Sequence, residues 1–150
     1  MGNMLAAEAI RLIGRHLPRV VSDHTERDSR DAMAWAASLA GMAFSNNGVA
    51  LVHALEYPVG ASVHCSHGEG NGVLLPHVMR FNMPGNESKF AEVARLLGND
   101  SDPSRSVEEL SASSIDAVQR IQNQIGIRTR LRDLGVQAEQ LADFAERSFG

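Results

Sequence analysis

Cysteine is nearly absent: Cys65 stands alone in 150 residues, which rules out an internal disulfide and fits a reducing compartment. Aromatic residues make up only 5%, so the core of this chain is expected to be aliphatic. Positive charge is not in excess. A formal net charge of −4 offers no electrostatic reason to expect nucleic acid or an anionic membrane as partner. No apolar run approaches the length of a bilayer span, and the N-terminus lacks the basic-then-apolar order of a signal peptide, so a cytoplasmic protein with no membrane partner is expected. There is no internal repeat, no low-complexity linker and no convincing strand. At this length the chain reads as a single helical domain, residues 1–150.

What is present is helical spacing. Leu5, Ala9, Leu12, Ile13 and Leu17 define a first helix, expected from about residue 3 to 16 because Pro18 disfavours helical geometry at Leu17. Asp28 or Ser29 is the expected cap of a second helix, rich in small residues, that breaks at Ser45-Asn46-Asn47-Gly48. Val49 to Val63 resumes the pattern around Pro58, where a bend is expected. The segment holding Val73, Leu74, Val78 and Phe81 is expected to start near Pro76 or kink there. Residues 87–97 form a helix stopped by Gly98, and Ser106 with Glu109 matches a capping box that opens a helix to about Gln124. Short helices over 129–134 and 137–148, divided by Gly135, complete an all-α multi-helix bundle of about seven helices.

Histidine is where chemistry concentrates. Four of the six fall between Phe44 and Asn82. His16 and His24 flank a charged connection and read as solvated, while His77 on an apolar segment reads as a hydrogen-bonded core residue. His53, His64 and His67 lie with Cys65 within fifteen residues, and imidazole suits borderline first-row cations. Two arrangements fit the spacing: a compact His64-Cys65-Ser66-His67 site, or His53 paired with His67 across a bend at Pro58 and Gly60 with His64 in support. Residue spacing does not choose between them.

The segment GMAFSNNGVALVHALEYPVGASVHCSHGEGNGVLLPHVMRFN, residues 41 to 82, resembles the signature region of the iron-containing (group III) alcohol dehydrogenases. FSNNGVALVHAL, YPVGA, the His67-Gly68 pair and LLPHVMRFN occur in that family's order and spacing. LAAEAIRLI near the start, FAEVARLLG at 90 to 98 and GIRTRLRDLGV at 126 to 136 extend the likeness more weakly. The resemblance implies the C-terminal helical domain of that family, of the dehydroquinate synthase-like type, truncated at both ends. It implies a divalent metal, Fe(II) or Zn, held in the complete enzyme by one aspartate and three histidines, two of which match His53 and His67. The other two ligands in the family, an Asp and a His four residues apart, lie upstream of the segment matching LAAEAIRLI. The residues four before each histidine here are Leu12, Val20, Val49, Gly60, Val63 and Val73.

By the same resemblance Phe44 and Val49 match substrate-facing positions. Tyr57 stands where some members carry a histidine that is a proton-relay candidate. Phe44, Val49, Tyr57 and His64 are therefore pocket candidates, and His64, Cys65 and His77 are support rather than ligands. The glycine-rich phosphate turn of a nucleotide-binding domain is not found: Gly68 to Gly72 follows a histidine loop instead. NAD(P) is thus expected only with a further, N-terminal domain as partner. The expected function is the metal-site domain of an alcohol dehydrogenase-like oxidoreductase that interconverts small alcohols and aldehydes in the complete enzyme and is inactive by itself. The alternative is a helical association or ligand-binding module derived from that family, for which a homodimer is the expected form.

Overall fold

The structure is a computed structural model that describes residues 1–99, 102 and 104–149. Among the described residues the chain forms α-helices and 3-10 turns without a strand: α1 (Gly2–Ser22), α2 (Arg27–Asn47), α3 (Leu51–Val63), α4 (His67–Asn82), α5 (Glu87–Leu96), α6 (Val107–Ile125) and α7 (Leu141–Arg147). The all-α expectation holds. The chain gathers into two compact units interleaved in sequence: Met1–Gly48 with Asn82–Ile125, and Val49–Phe81 with Gly126–Gly150.

In the first unit α1 and α2, 21 residues each, pack against one another through an aliphatic seam. Ala9, Leu12, Ala36 and Leu39 are buried in it, with Leu5, Ile13, Ala32 and Ala40 against them. Small residues let two helix backbones approach closely, and the larger aliphatics fill the remaining space. α1 does not end before Pro18 but continues to Ser22, because the seam outweighs the single backbone hydrogen bond the proline removes.

α5 and α6 form the other pair of this unit around Ala91, Ala94 and Leu110. α5 stops where expected: Gly98 takes φ +79°, and Asn99 N–H donates to Ala94 O at 2.9 Å. The Ser106/Glu109 capping box is present, with Glu109 N–H to Ser106 Oγ at 3.2 Å and Ser106 N–H to Glu109 Oε2 at 2.8 Å. α2, in contrast, starts at Arg27 with Glu26 as its cap, while Ser29 is wholly buried and lies 3.0 Å from His16 Nδ1. His16 is therefore tied into the α1–α2 contact and not simply solvated.

The second unit is built on α3, α4 and α7, with 3-10 turns at Leu131–Leu134 and Ala138–Gln140. Val59 of α3, Val136 and Phe144 of α7 make its apolar cluster, flanked by Val63 and Leu131. Both prolines here lie inside continuous helices: α3 runs through Pro58, and α4 begins nine residues before Pro76 and passes through it. The chain turns between these two helices at His64, Cys65 and Ser66. His64 caps α3 in the left-handed region at φ 54°, a conformation in which histidine is enriched over most non-glycine residues. His77 is exposed, against the expectation of a core position.

Candidate metal centre

α3 carries one charged side chain, Glu56, in an otherwise uncharged run. Residues three and four apart share a helix face, so His53, Glu56, Tyr57 and Gly60 come to one side of α3. By the same periodicity His67, Gly70 and Asn71 share a face of α4. The reversal at 64–66 brings these two faces together.

The result is a connected line of polar groups. His53 Nδ1 lies 3.1 Å from His67 Nε2, with the two ring centroids 5.1 Å apart and tilted by 39°. On its other side His67 Nδ1 hydrogen-bonds Glu56 Oε2. Asn71 Nδ2 lies 3.0 Å from His67 Nε2 and donates to His67 O at 2.9 Å. The Tyr57 ring stacks on His67, centroids 5.8 Å apart and 14° from parallel. His67 and Tyr57 are open to solvent, His53 is half-buried, and Glu56 is only 3% exposed.

Glu56 occupies a cradle of two glycines. A methyl group added at Gly60 would come within 2.6 Å of Glu56 Oε1, and one at Gly70 within 2.7 Å of Glu56 Cγ and 2.8 Å of Oε1. Both approaches are shorter than side chains tolerate without displacement. The carboxylate therefore fits only because α3 and α4 have glycine where they face it.

Of the residues singled out from sequence, the fold brings His53 and His67 together across the reversal, with Tyr57 stacked beside them. His64 is exposed at the turn, where its backbone N–H caps Gly60 O at 2.9 Å. Cys65 is half-buried, and burial pushes its thiol up from the ordinary value, with the Glu56 and Glu69 carboxylates adding to the rise. A thiol held that way is a poor thiolate ligand. Val49 is 50% exposed at the edge of the second unit, and Phe44, 49% exposed, lies on α2 of the first. Glu56 and Asn71 were not among the sequence candidates. Their signal was present: one acid in an apolar helix three residues after His53, and an asparagine four after His67.

The donor set fits part of a borderline cation's shell. Two imidazole nitrogens 3.1 Å apart lie within the span that one ion with bonds of about 2.0–2.1 Å can bridge. Asn71 Oδ1 is buried without a hydrogen-bonding partner. Among the described residues no three His, Cys, Asp or Glu side chains converge as a complete set.

Comparison with known proteins places these observations. The profile of the family described as "Fe-containing alcohol dehydrogenase family, C-terminal" matches residues 1–150. The 1,3-propanediol dehydrogenase of Citrobacter freundii is 40% identical over 141 residues, covering 94% of this chain and 36% of that enzyme. The NAD-dependent methanol dehydrogenase of Bacillus methanolicus is 34% identical over 96% of this chain and 38% of its own length. A crystal structure of 1,3-propanediol oxidoreductase superposes with a TM-score of 0.96 at 38% identity, covering 99% of this chain and 38% of that one. This chain thus spans a little over a third of the length of the relatives it matches.

Proposed function

We propose, from the premise that this chain belongs to the iron-containing alcohol dehydrogenase family, that it supplies His53 and His67 as two ligands of a divalent metal in an NAD(P)-dependent oxidoreductase. The observation that carries the reading is the 3.1 Å approach of His53 Nδ1 to His67 Nε2, made between residues fourteen apart on different helices. Fe(II) or Zn suits such donors. Bound there, the cation would act as a Lewis acid on the oxygen of an alcohol or aldehyde while hydride moves to or from a nicotinamide ring.

The chain's own residues supply binding and placement. His53 and His67 present nitrogen lone pairs from two helices, so the bearing of each is held by the turn at His64. Tyr57 lies stacked beside the His67 ring. Two ligands alone hold a metal loosely, and in this reading further ligands and the nucleotide site join the pair in the complete enzyme. Alcohols and aldehydes are the substrate class that the relatives support, since they include a methanol dehydrogenase, a lactaldehyde reductase and a long-chain-alcohol dehydrogenase.

Titration of the chain with Zn(II) or Co(II) tests the ligand assignment. His53→Ala and His67→Ala should each weaken binding at least tenfold; unchanged affinity in both would remove the assignment. NAD(P)-linked alcohol oxidation by the purified chain is expected to be negligible. A second reading, an association module that works as a homodimer, is favoured by the exposed Trp35, Met42 and Phe44 of α2. Sedimentation of the wild type beside Trp35→Ser separates it, because a dimer through that face would dissociate on substitution.

A further inference from the structure

We infer that Glu56 is a positioning residue: its buried carboxylate holds the His67 imidazole in the tautomer and bearing that present the Nε2 lone pair to the metal. The inference rests on the reading of His53 and His67 as ligands and adds a role for a residue outside that pair.

Three observations converge. Burying a carboxylate is costly unless a partner compensates it, and Glu56 is 3% exposed with His67 Nδ1 as its hydrogen-bonding neighbour. The cradle of Gly60 and Gly70 leaves that carboxylate little room to move, so the bond to the ring is held from the side of the acid. Asn71 then fixes the direction of the proton. Its Nδ2 donates to the His67 carbonyl, which can only accept, and this settles which end of the amide faces the ring. The same nitrogen therefore faces His67 Nε2 at 3.0 Å as a donor, so Nε2 carries a lone pair. With the proton excluded from Nε2, the neutral ring carries it on Nδ1, and Glu56 is the acceptor. Two independent contacts thus demand one tautomer.

An imidazole that donates Nδ1–H to a carboxylate is oriented and is a stronger donor at its other nitrogen, and losing such a partner typically weakens metal affinity about 10–100-fold. Glu56 acts only through His67.

The test has two parts. In the wild-type chain, long-range proton–nitrogen NMR of the imidazoles should show His67 protonated on Nδ1 with an unprotonated Nε2; a proton on Nε2 would overturn the inference without any variant. Co(II) binding, read from its visible spectrum with Zn(II) competition, is then compared across variants. Glu56→Ala should lose about 10–100-fold in affinity. Glu56→Gln, which keeps the volume in the cradle and removes the charge, should lose less. If both variants bind as the wild type does while His67→Ala loses binding, the ligand reading stands and the role of Glu56 falls. If His53→Ala and His67→Ala bind normally, the ligand reading falls, and with it the role of Glu56 toward the metal.

Discussion

Each unit of this protein holds a histidine whose Nδ1 meets an oxygen from another helix, and the two pairs end differently. In the first unit His16 Nδ1 lies 3.0 Å from the hydroxyl of the wholly buried Ser29, inside the α1–α2 contact. In the second, His67 Nδ1 meets the carboxylate of Glu56, and the ring's other nitrogen goes on to His53 and Asn71. A hydroxyl both donates and accepts, so it suits either ring tautomer; a carboxylate only accepts, so it selects one. The first pair satisfies a buried polar group and stops there. The second specifies which nitrogen faces outward, and only that second requirement belongs to a metal ligand.

The sharpest way to break this comparison is to disturb the cradle. Gly70→Ala places a methyl 2.7 Å from Glu56 Cγ, and the acid, buried and bonded to His67, cannot swing aside cheaply. Stability measured by urea unfolding should fall by about 1–3 kcal/mol, and Co(II) affinity should fall with it. A stable Gly70→Ala with unaltered affinity would mean that Glu56 is not held as argued. The matching change in the other unit is Ser29→Ala. It should cost about 1 kcal/mol by removing one hydrogen bond and leave metal affinity unmoved, because neither His16 nor Ser29 contacts His53, Glu56 or His67 among the described residues. Smaller again is Gly41→Ala in α2, where an added methyl meets nothing within 4 Å. Here alanine should stabilise by about 0.5–1 kcal/mol through helix propensity. Glycine in the two units then carries opposite signs: filler in α2, a steric requirement in α4.

Much of this contrast was hidden in the sequence for identifiable reasons. Apolar residues at helical spacing located all the α-helices, and Gly98 and the Ser106/Glu109 box marked their ends, because those signals are local. Pro18 misled because its cost is also local, whereas the seam of Leu12 with Ala36 and Leu39 that overrides it joins residues more than twenty apart. Pro58 and Gly60 looked like a possible end of the helix, but α3 runs through both to Val63 and is capped by His64 in a left-handed conformation, which spacing does not announce. His53 and His67 were legible as a candidate pair, and family resemblance chose it over the compact alternative. Glu56 was not, since a lone glutamate in a helix ordinarily points to water. Its burial depends on glycines in two separate helices meeting over one carboxylate, a fact of tertiary structure alone. Gly60, four residues on in the same helix, was the only local half of that signal.

The smallest expected effects lie at exposed aspartates, and they extend the contrast between neutral and charged partners. In the first unit the Thr25 hydroxyl and N–H donate to Asp23 Oδ1 at 2.7 and 2.9 Å, and these bonds hold the Asp23 carboxyl below its ordinary value. In the second, the Arg130 side chain, bonded to Asp133 at 2.9 Å through two nitrogens, does the same to Asp133. Each acid is depressed in the folded state, so its contribution to stability is present above the unfolded value near pH 4 and is lost as pH falls through the folded value. Carboxyl carbon shifts followed by NMR from pH 6 to pH 2 should show both transitions below that of an unfolded chain. Raising salt to about 1 M shortens the Debye length to about 3 Å. It should move the Asp133 transition back toward its ordinary value, because part of its depression is an exposed charge interaction. The Asp23 transition should move less, since its leading cause is a pair of hydrogen bonds to neutral donors. Equal salt shifts at both sites would show that the Thr25 contacts do not govern Asp23, and the distinction between neutral and charged partners would then fail at the surface.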